Sequence, residues 1–204
     1  MHSTTSQATR DARRQAHVGA TRSALASQTA TPATEAECRD LAHLREEEKL
    51  ARDVYEALHA RWDIPPFANI RGSEQAHMDM VALLLEHFGL ADPVRDLPQG
   101  QFHTPAIQAL HDELVAQGER SLEEAVRVGL LIEELDIADL RAAMLRTEKP
   151  EVRGVYAELE RGSRNHLRAF DRWMRRLGTQ YVPQHLSLSD FEFIAWSEHE
   201  PCDH

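Results

Sequence analysis

The amino-acid sequence predicts an all-α protein, a four-helix bundle whose crossover carries a short extra helix. Three observations predict it. Apolar residues recur at three- and four-residue steps through most of residues 37–178, the period of a helix that hides one stripe. No convincing stretch alternates apolar and polar residues, as a half-buried strand would. Prolines, with Gly89, Gly100, Gly118 and Gly178, fall between the periodic stretches or at their starts and divide them into four long segments and one short one.

The first long helix is expected over residues 37–62, where Leu44, Ala51, Tyr55, Leu58 and Trp62 share a stripe. Ile64-Pro65-Pro66 stops it, because proline disfavours helix in the residue before it. The second covers 68–88, with Val81, Leu84, Leu85 and Phe88 on one side and Gly89 as its stop. A linker with Pro93, Pro98 and Gly100 follows over 90–104. Pro105 opens the short helix, over 105–117, and Gly118 closes it. Ser121 and Glu124 form a capping-box pattern for the third long helix, which runs to 146. The fourth begins near Pro150, ends at Gly178, and carries the stripe Val152, Tyr156, Leu159, Phe170, Trp173 and Leu177. The segment "YVPQHLSLSDFEFIAW" has enough aromatic and aliphatic side chains to pack on the body. The bundle domain is therefore expected over 37–194. Residues 1–36 offer only Val18 and Leu25 as larger aliphatics, so they are expected to be a disordered tail. Residues 195–204 are expected to be flexible.

Composition narrows the function classes. The chain has 204 residues, 42% hydrophobic and 28% charged, enough for one domain with a proper core. A net charge of −11 disfavours nucleic acid as a partner, since phosphates would be repelled. Cys38 and Cys202 are too few for a disulfide framework or a thiolate metal site. No apolar run approaches the roughly 20 residues of a membrane span, and the N-terminus lacks a secretory hydrophobic core. A soluble, cytoplasmic protein with no membrane partner is expected.

A carboxylate or imidazole on a hidden stripe needs a partner, because burying it alone is costly. On the fourth helix, Ser163 and His166 fall on the stripe; on the second, Glu74 and His77 do, one turn apart. On the first, Glu48 lies between Leu44 and Ala51. On the third, "GLLIEELDIADL" offers Glu133, Glu134 and Asp136. The pattern leaves Glu133 and Glu134 both open, and the more apolar neighbours of Glu134 favour it. One Glu-x-x-His pair would mean little. Acids or imidazoles facing inward from four helices suit iron, manganese or zinc. "REEEK" reads as a charge run, with Glu46 on a solvated face. The C-terminal "SEHEPCDH" has metal-binding residue types but no ordered spacing, so no site is assigned there.

Five stretches, "LREEEKLARDVYEALHARW", "SEQAHMDMVALLLEHFGL", "LIEELDIADL", "RGSRNHLRAF" and "YVPQHLS", resemble an uncharacterised ferritin-like family, the domain of unknown function 2202. The resemblance runs from about residue 41 to 194. It implies a ferritin-like bundle with a dinuclear centre, two irons per chain or iron with manganese, with zinc also possible. Oxygen or peroxide would be the reactants. Glu48-x-x-Ala51-x-x-x-Tyr55 resembles the first metal-binding helix of ferritins and Glu74-x-x-His77 the second. Tyr55 would inherit the hydrogen bond that such a tyrosine makes to a carboxylate across the site. Where the superfamily has Glu-x-x-His on the fourth helix, this chain has Ser163-x-x-His166. Asp136, three residues after Glu133, could substitute. No paired-cysteine rubredoxin module is present, so a rubrerythrin-type peroxidase cycle would need an external electron donor. Nothing points to a cage, and a monomer or homodimer is expected. The alternative expectation is a bundle stapled by one metal ion, without turnover.

Overall fold

A computed structural model describes residues 7–201, which form seven helices and no strand among the described residues. They are α1 (Gln7–Ala26), α2 (Glu35–Trp62), α3 (Pro65–His87), α4 (Pro105–Gly118), α5 (Leu122–Met144), α6 (Pro150–Arg176) and α7 (Leu188–Trp196). Local chemistry sets the boundaries. Thr34 and Glu37 form a reciprocal cap: Thr34 Oγ1 accepts from the Glu37 amide at 3.2 Å, and Glu37 Oε2 accepts from the Thr34 amide at 2.8 Å. The helix α3 begins at Pro65, three residues before the expected start. Two prolines fit its first turn, where no amide hydrogen is needed. Ser121 caps α5 through the Glu124 amide, and Gly178 takes φ +74 beyond the end of α6.

Of the long helices, α2 lies along α3 and α5 along α6; α2 also meets α5, and α3 meets α6. The apolar core between them is divided. One cluster holds Tyr55, Phe67, Leu130, Leu167 and Phe170, the other Leu41, Leu44, Leu84, Tyr156 and Leu159. Each fully buried aliphatic side chain contributes about 1.5–3 kcal/mol, so the two clusters can offset the cost of what separates them. Along α3 the order is Ile70, then Glu74 and His77, then Val81; along α6 it is Leu159, then Ser163 and His166, then Phe170. A polar layer thus crosses the helices between two apolar halves.

Three expectations change. Residues 7–26 form the helix α1 rather than a disordered tail. Val18 and Leu25, seven residues apart, lie on one face and join the cluster of Met80 and Leu83, and Arg14 Nη2 donates to the Asn69 carbonyl at 2.6 Å. The scarcity of apolar residues mattered less than their register. Residues 1–6 of the expected tail lie outside the described residues. Near the C-terminus, residues 197–201 are tied to α6: Glu200 accepts from Arg164 at 2.9 and 2.5 Å and from Arg168 at 2.5 Å. The rest of "SEHEPCDH", residues 202–204 with Cys202, lies outside the described residues. Finally, the charged run Arg45–Lys49 is buried throughout. Glu46, expected on a solvated face, accepts from the His103 and Thr104 amides at 3.1 and 3.0 Å at the start of α4. No helix of the described residues is long and apolar enough to cross a membrane.

Candidate metal centre

The polar layer contains two triads that share a member. Glu48, Glu74 and His77 form one, and Glu74, Glu133 and His166 the other; within each, one donor atom per residue lies within 4.8 Å of the others. Glu74 is the common residue. Its Oε2 is 2.8 Å from His77 Nδ1 and its Oε1 is 2.8 Å from His166 Nδ1. Glu48 Oε2 lies 3.3 Å from His77 Nδ1, and Glu133 Oε2 lies 3.4 Å from His166 Nδ1. The two imidazoles stack with centroids 5.6 Å apart. All five side chains are buried.

The backbone permits this convergence at one narrow point. A Cβ on Gly162 would lie 2.5 Å from His77 Nε2 and 2.6 Å from its Cε1. Only glycine lets the His77 ring sit against α6. On the opposite side, the Tyr55 hydroxyl from α2 donates to Glu133 Oε1 on α5 at 2.6 Å. Tyr55 itself is fixed by Phe67 and Phe170, with ring centroids 5.8 and 5.3 Å away.

Electrostatics here is set by burial and by the mutual charges. Burial drives Glu48 up despite the opposing His77, and Glu133 up to about 7 despite His166. Burial also acts on Glu74, but the charges of His166 and His77 outweigh it and hold its carboxyl well below the usual range. Burial would lower both histidines. Glu48 and Glu74 outweigh it at His77, which rises well above its ordinary value, and Glu74 and Glu133 raise His166 to about 9. Asp136 is pushed far up by burial and by the charges of Glu48, Glu133, Glu47 and Glu74. Burial, with the Glu133 charge, raises Tyr55 well above its ordinary value, so it remains a neutral donor.

The expected site residues divide accordingly. Glu48, Glu74, His77, Glu133 and His166 come together, with Tyr55 on Glu133 and Asp136 beside them. Glu134, favoured from its apolar neighbours, faces the other way. It accepts from the Tyr181 hydroxyl at 2.5 Å and from the amides of Gln184, His185 and Leu186 at 3.0–3.3 Å. Its oxygens are taken up in anchoring the segment before α7. Ser163 lies in the layer, but its Oγ donates to the Leu159 carbonyl at 3.1 Å. Gly162 and the outer group His43, Glu47 and Asp139 escaped sequence reasoning. The four-residue step from His43 to Glu47 was the available signal for the latter.

The buried atoms fit a bound cation. Both oxygens of Glu74, Glu133 Oε2, Asp136 Oδ2 and His166 Nδ1 are buried and make no hydrogen bond. Yet two Glu74 contacts are as short as 2.8 Å. Ion pairing with the two imidazoles accounts for the close approach, the unaligned buried oxygens leave room for a shared ion, and oxygen with imidazole nitrogen suits first-row divalent metals.

Comparison with known proteins agrees with the residue pattern. The model of an uncharacterized protein domain, DUF2202, matches residues 37–198. The uncharacterized protein MJ0754 of Methanocaldococcus jannaschii is 44% identical over 169 residues, 83% of this chain and 91% of that protein. The crystal structure of hypothetical protein MJ0754 from Methanococcus jannaschii DSM 2661 matches with a TM-score of 0.83 and 43% identity, covering 85% of this chain and 99% of that one. The chain belongs to the DUF2202 family.

Proposed function

We propose that this member of the DUF2202 family is a ferritin-like bundle whose polar layer holds two transition-metal ions, iron or iron with manganese. Its reaction would be oxidation of ferrous iron, or reduction of oxygen or peroxide. The carrying observation is the pair of buried triads joined at Glu74. Glu48 and His77 would serve one position, Glu133 and His166 the other, with Glu74 between them and Asp136 supplying the carboxylate that Ser163 does not. An iron pair held there would give up one electron per ion, and the two electrons together would reduce peroxide to water.

The side chains do the rest. Burial of Glu48, Glu74 and Glu133 excludes water and strengthens every charge interaction in the layer. Tyr55 holds one oxygen of Glu133, which fixes the carboxylate's orientation. Repeated reduction of peroxide by a resident iron pair would require an external electron donor.

Anaerobic titration with ferrous iron, followed by oxygen or peroxide, tests this reading. Two ferrous ions per chain and the absorption of an oxidised iron pair are expected. One tightly held zinc per chain with no oxygen consumed would overturn it. That result belongs to the second reading, a single ion that staples the helices without turnover, which the back-bonded Ser163 favours.

Metal uptake should also displace protons. His166, at about 9, and Glu133, at about 7, must shed theirs to become ligands. Affinity is therefore expected to climb between pH 6 and 9, about tenfold per unit for each proton displaced. Isothermal titration with zinc in buffers of different ionisation enthalpy reads both quantities. A flat profile with no proton release would contradict the ligand set.

A further inference from the structure

A second group of metal-ligating side chains lies outside the buried centre. His43 and Glu47 stand one turn apart on α2, and Asp139 faces them from α5. His43 Nε2 is 3.2 Å from Glu47 Oε1 and 4.0 Å from Asp139 Oδ2. Ligands about 2.0–2.2 Å from one ion cannot be more than about 4.4 Å apart, so these separations suit one shared cation. His43 and Asp139 are about half exposed, whereas Glu47 is only 8% exposed. Glu47 Oε2 is buried and makes no hydrogen bond, although Glu47 points toward this group. Among the described residues no arginine pairs with Asp139: Arg146, which is close enough to feel its charge, is engaged by both oxygens of Asp40 at 2.8 Å.

The group is also continuous with the layer inside. Asp136, one turn before Asp139 on α5, lies in the combined field of Glu47, Glu48, Glu133 and Glu74 and has its own unpartnered buried oxygen. Glu47 and Glu48 are neighbours on α2, and Asp139, Asp136 and Glu133 recur at three-residue steps on α5, so both helices carry acids from the outer group to the centre where they meet.

We propose that His43, Glu47 and Asp139 form an outer divalent-cation site, and that the carboxylates behind it, led by Asp136, pass ions to the buried centre. Two carboxylates and one imidazole leave positions for water, so the outer site is weaker and exchanges faster than the inner one. The binding half stands on this geometry alone; the delivery half rests on the proposed centre.

Manganese(II) and cobalt(II) are suitable probes. Equilibrium dialysis of His77→Ala/His166→Ala should retain one weakly bound manganese per chain, and adding Asp139→Asn should remove it. If the double variant does not fold, Asp139→Asn and His43→Gln in the otherwise unchanged protein should each lower total manganese by one. In stopped-flow mixing with cobalt, Asp139→Asn should slow filling of the inner positions by up to about tenfold, the low end of what a charged cleft adds to association, without changing their number. Unchanged manganese counts after loss of Asp139 would overturn the outer site. Equal cobalt loading rates would overturn delivery. One weak, Asp139-dependent manganese with no tight ions would uphold the outer site and instead defeat the buried centre.

Discussion

Replacing Glu74 with alanine is expected to empty both of the proposed metal positions together. No other side chain belongs to both triads, and its two oxygens each lie 2.8 Å from a different imidazole. Loss of a residue that merely orients a ligand costs 10–100-fold in affinity as an order of magnitude; loss of a shared ligand should exceed about 100-fold. Metal analysis after dialysis is the measurement, with His87→Ala as the control. His87 lies ten residues beyond His77 and packs edge-on against Phe88 instead of entering the layer. Removing Glu74 also takes away the carboxylate that holds the protons of His77 and His166, which is destabilising in itself, so Glu74→Gln is measured beside it. Equal metal content in Glu74→Ala and His87→Ala would rule out the shared ligand.

Gly162→Ala should have the next largest effect, and its sign is diagnostic. Inside a helix, glycine to alanine ordinarily gains about 1 kcal/mol. Here the added methyl would meet His77 Nε2 at 2.5 Å. His77 cannot swing aside without leaving Glu48 and Glu74, which hold its Nδ1 at 3.3 and 2.8 Å. A loss of about 1–3 kcal/mol is expected, the usual result of forcing a methyl into a packed interior. Metal affinity should fall with it. Gly154→Ala on the same helix is the comparison, since nothing lies within 4 Å of a Cβ there. Thermal melts of both variants decide it: a gain in Gly162→Ala would mean that His77 is not confined.

The sequence made some of this legible and hid the rest for physical reasons. Glu74, His77 and His166 interrupt otherwise apolar stripes, so helical periodicity alone turns them inward. Glu133 and Glu134 defeated the same reasoning. Neighbours on a helix point about 100° apart, and both are buried, toward different partners: one to His166, the other to the amides of residues 184–186. Nothing local to α5 says where the segment before α7 returns. Glu46 was hidden likewise, because its partner is the start of α4, more than fifty residues away. The helix α1 was missed because its docking rests on two well-placed aliphatics and on polar contacts of Arg14, His17 and Arg22 with distant residues. Length, order and most boundaries of the long helices followed from caps, prolines and period; the contacts between distant segments did not.

The polar layer between two apolar halves has one more consequence. A domain whose middle is held by charges is least self-sufficient there, and on the proposed reading ions supply the missing cohesion. Ligand that binds only the folded chain adds about 2.7 kcal/mol at a hundred times its dissociation constant. The abundance of the folded protein in a cell would then follow metal supply: scarcity would shorten its lifetime through the same residues that plenty would put to work.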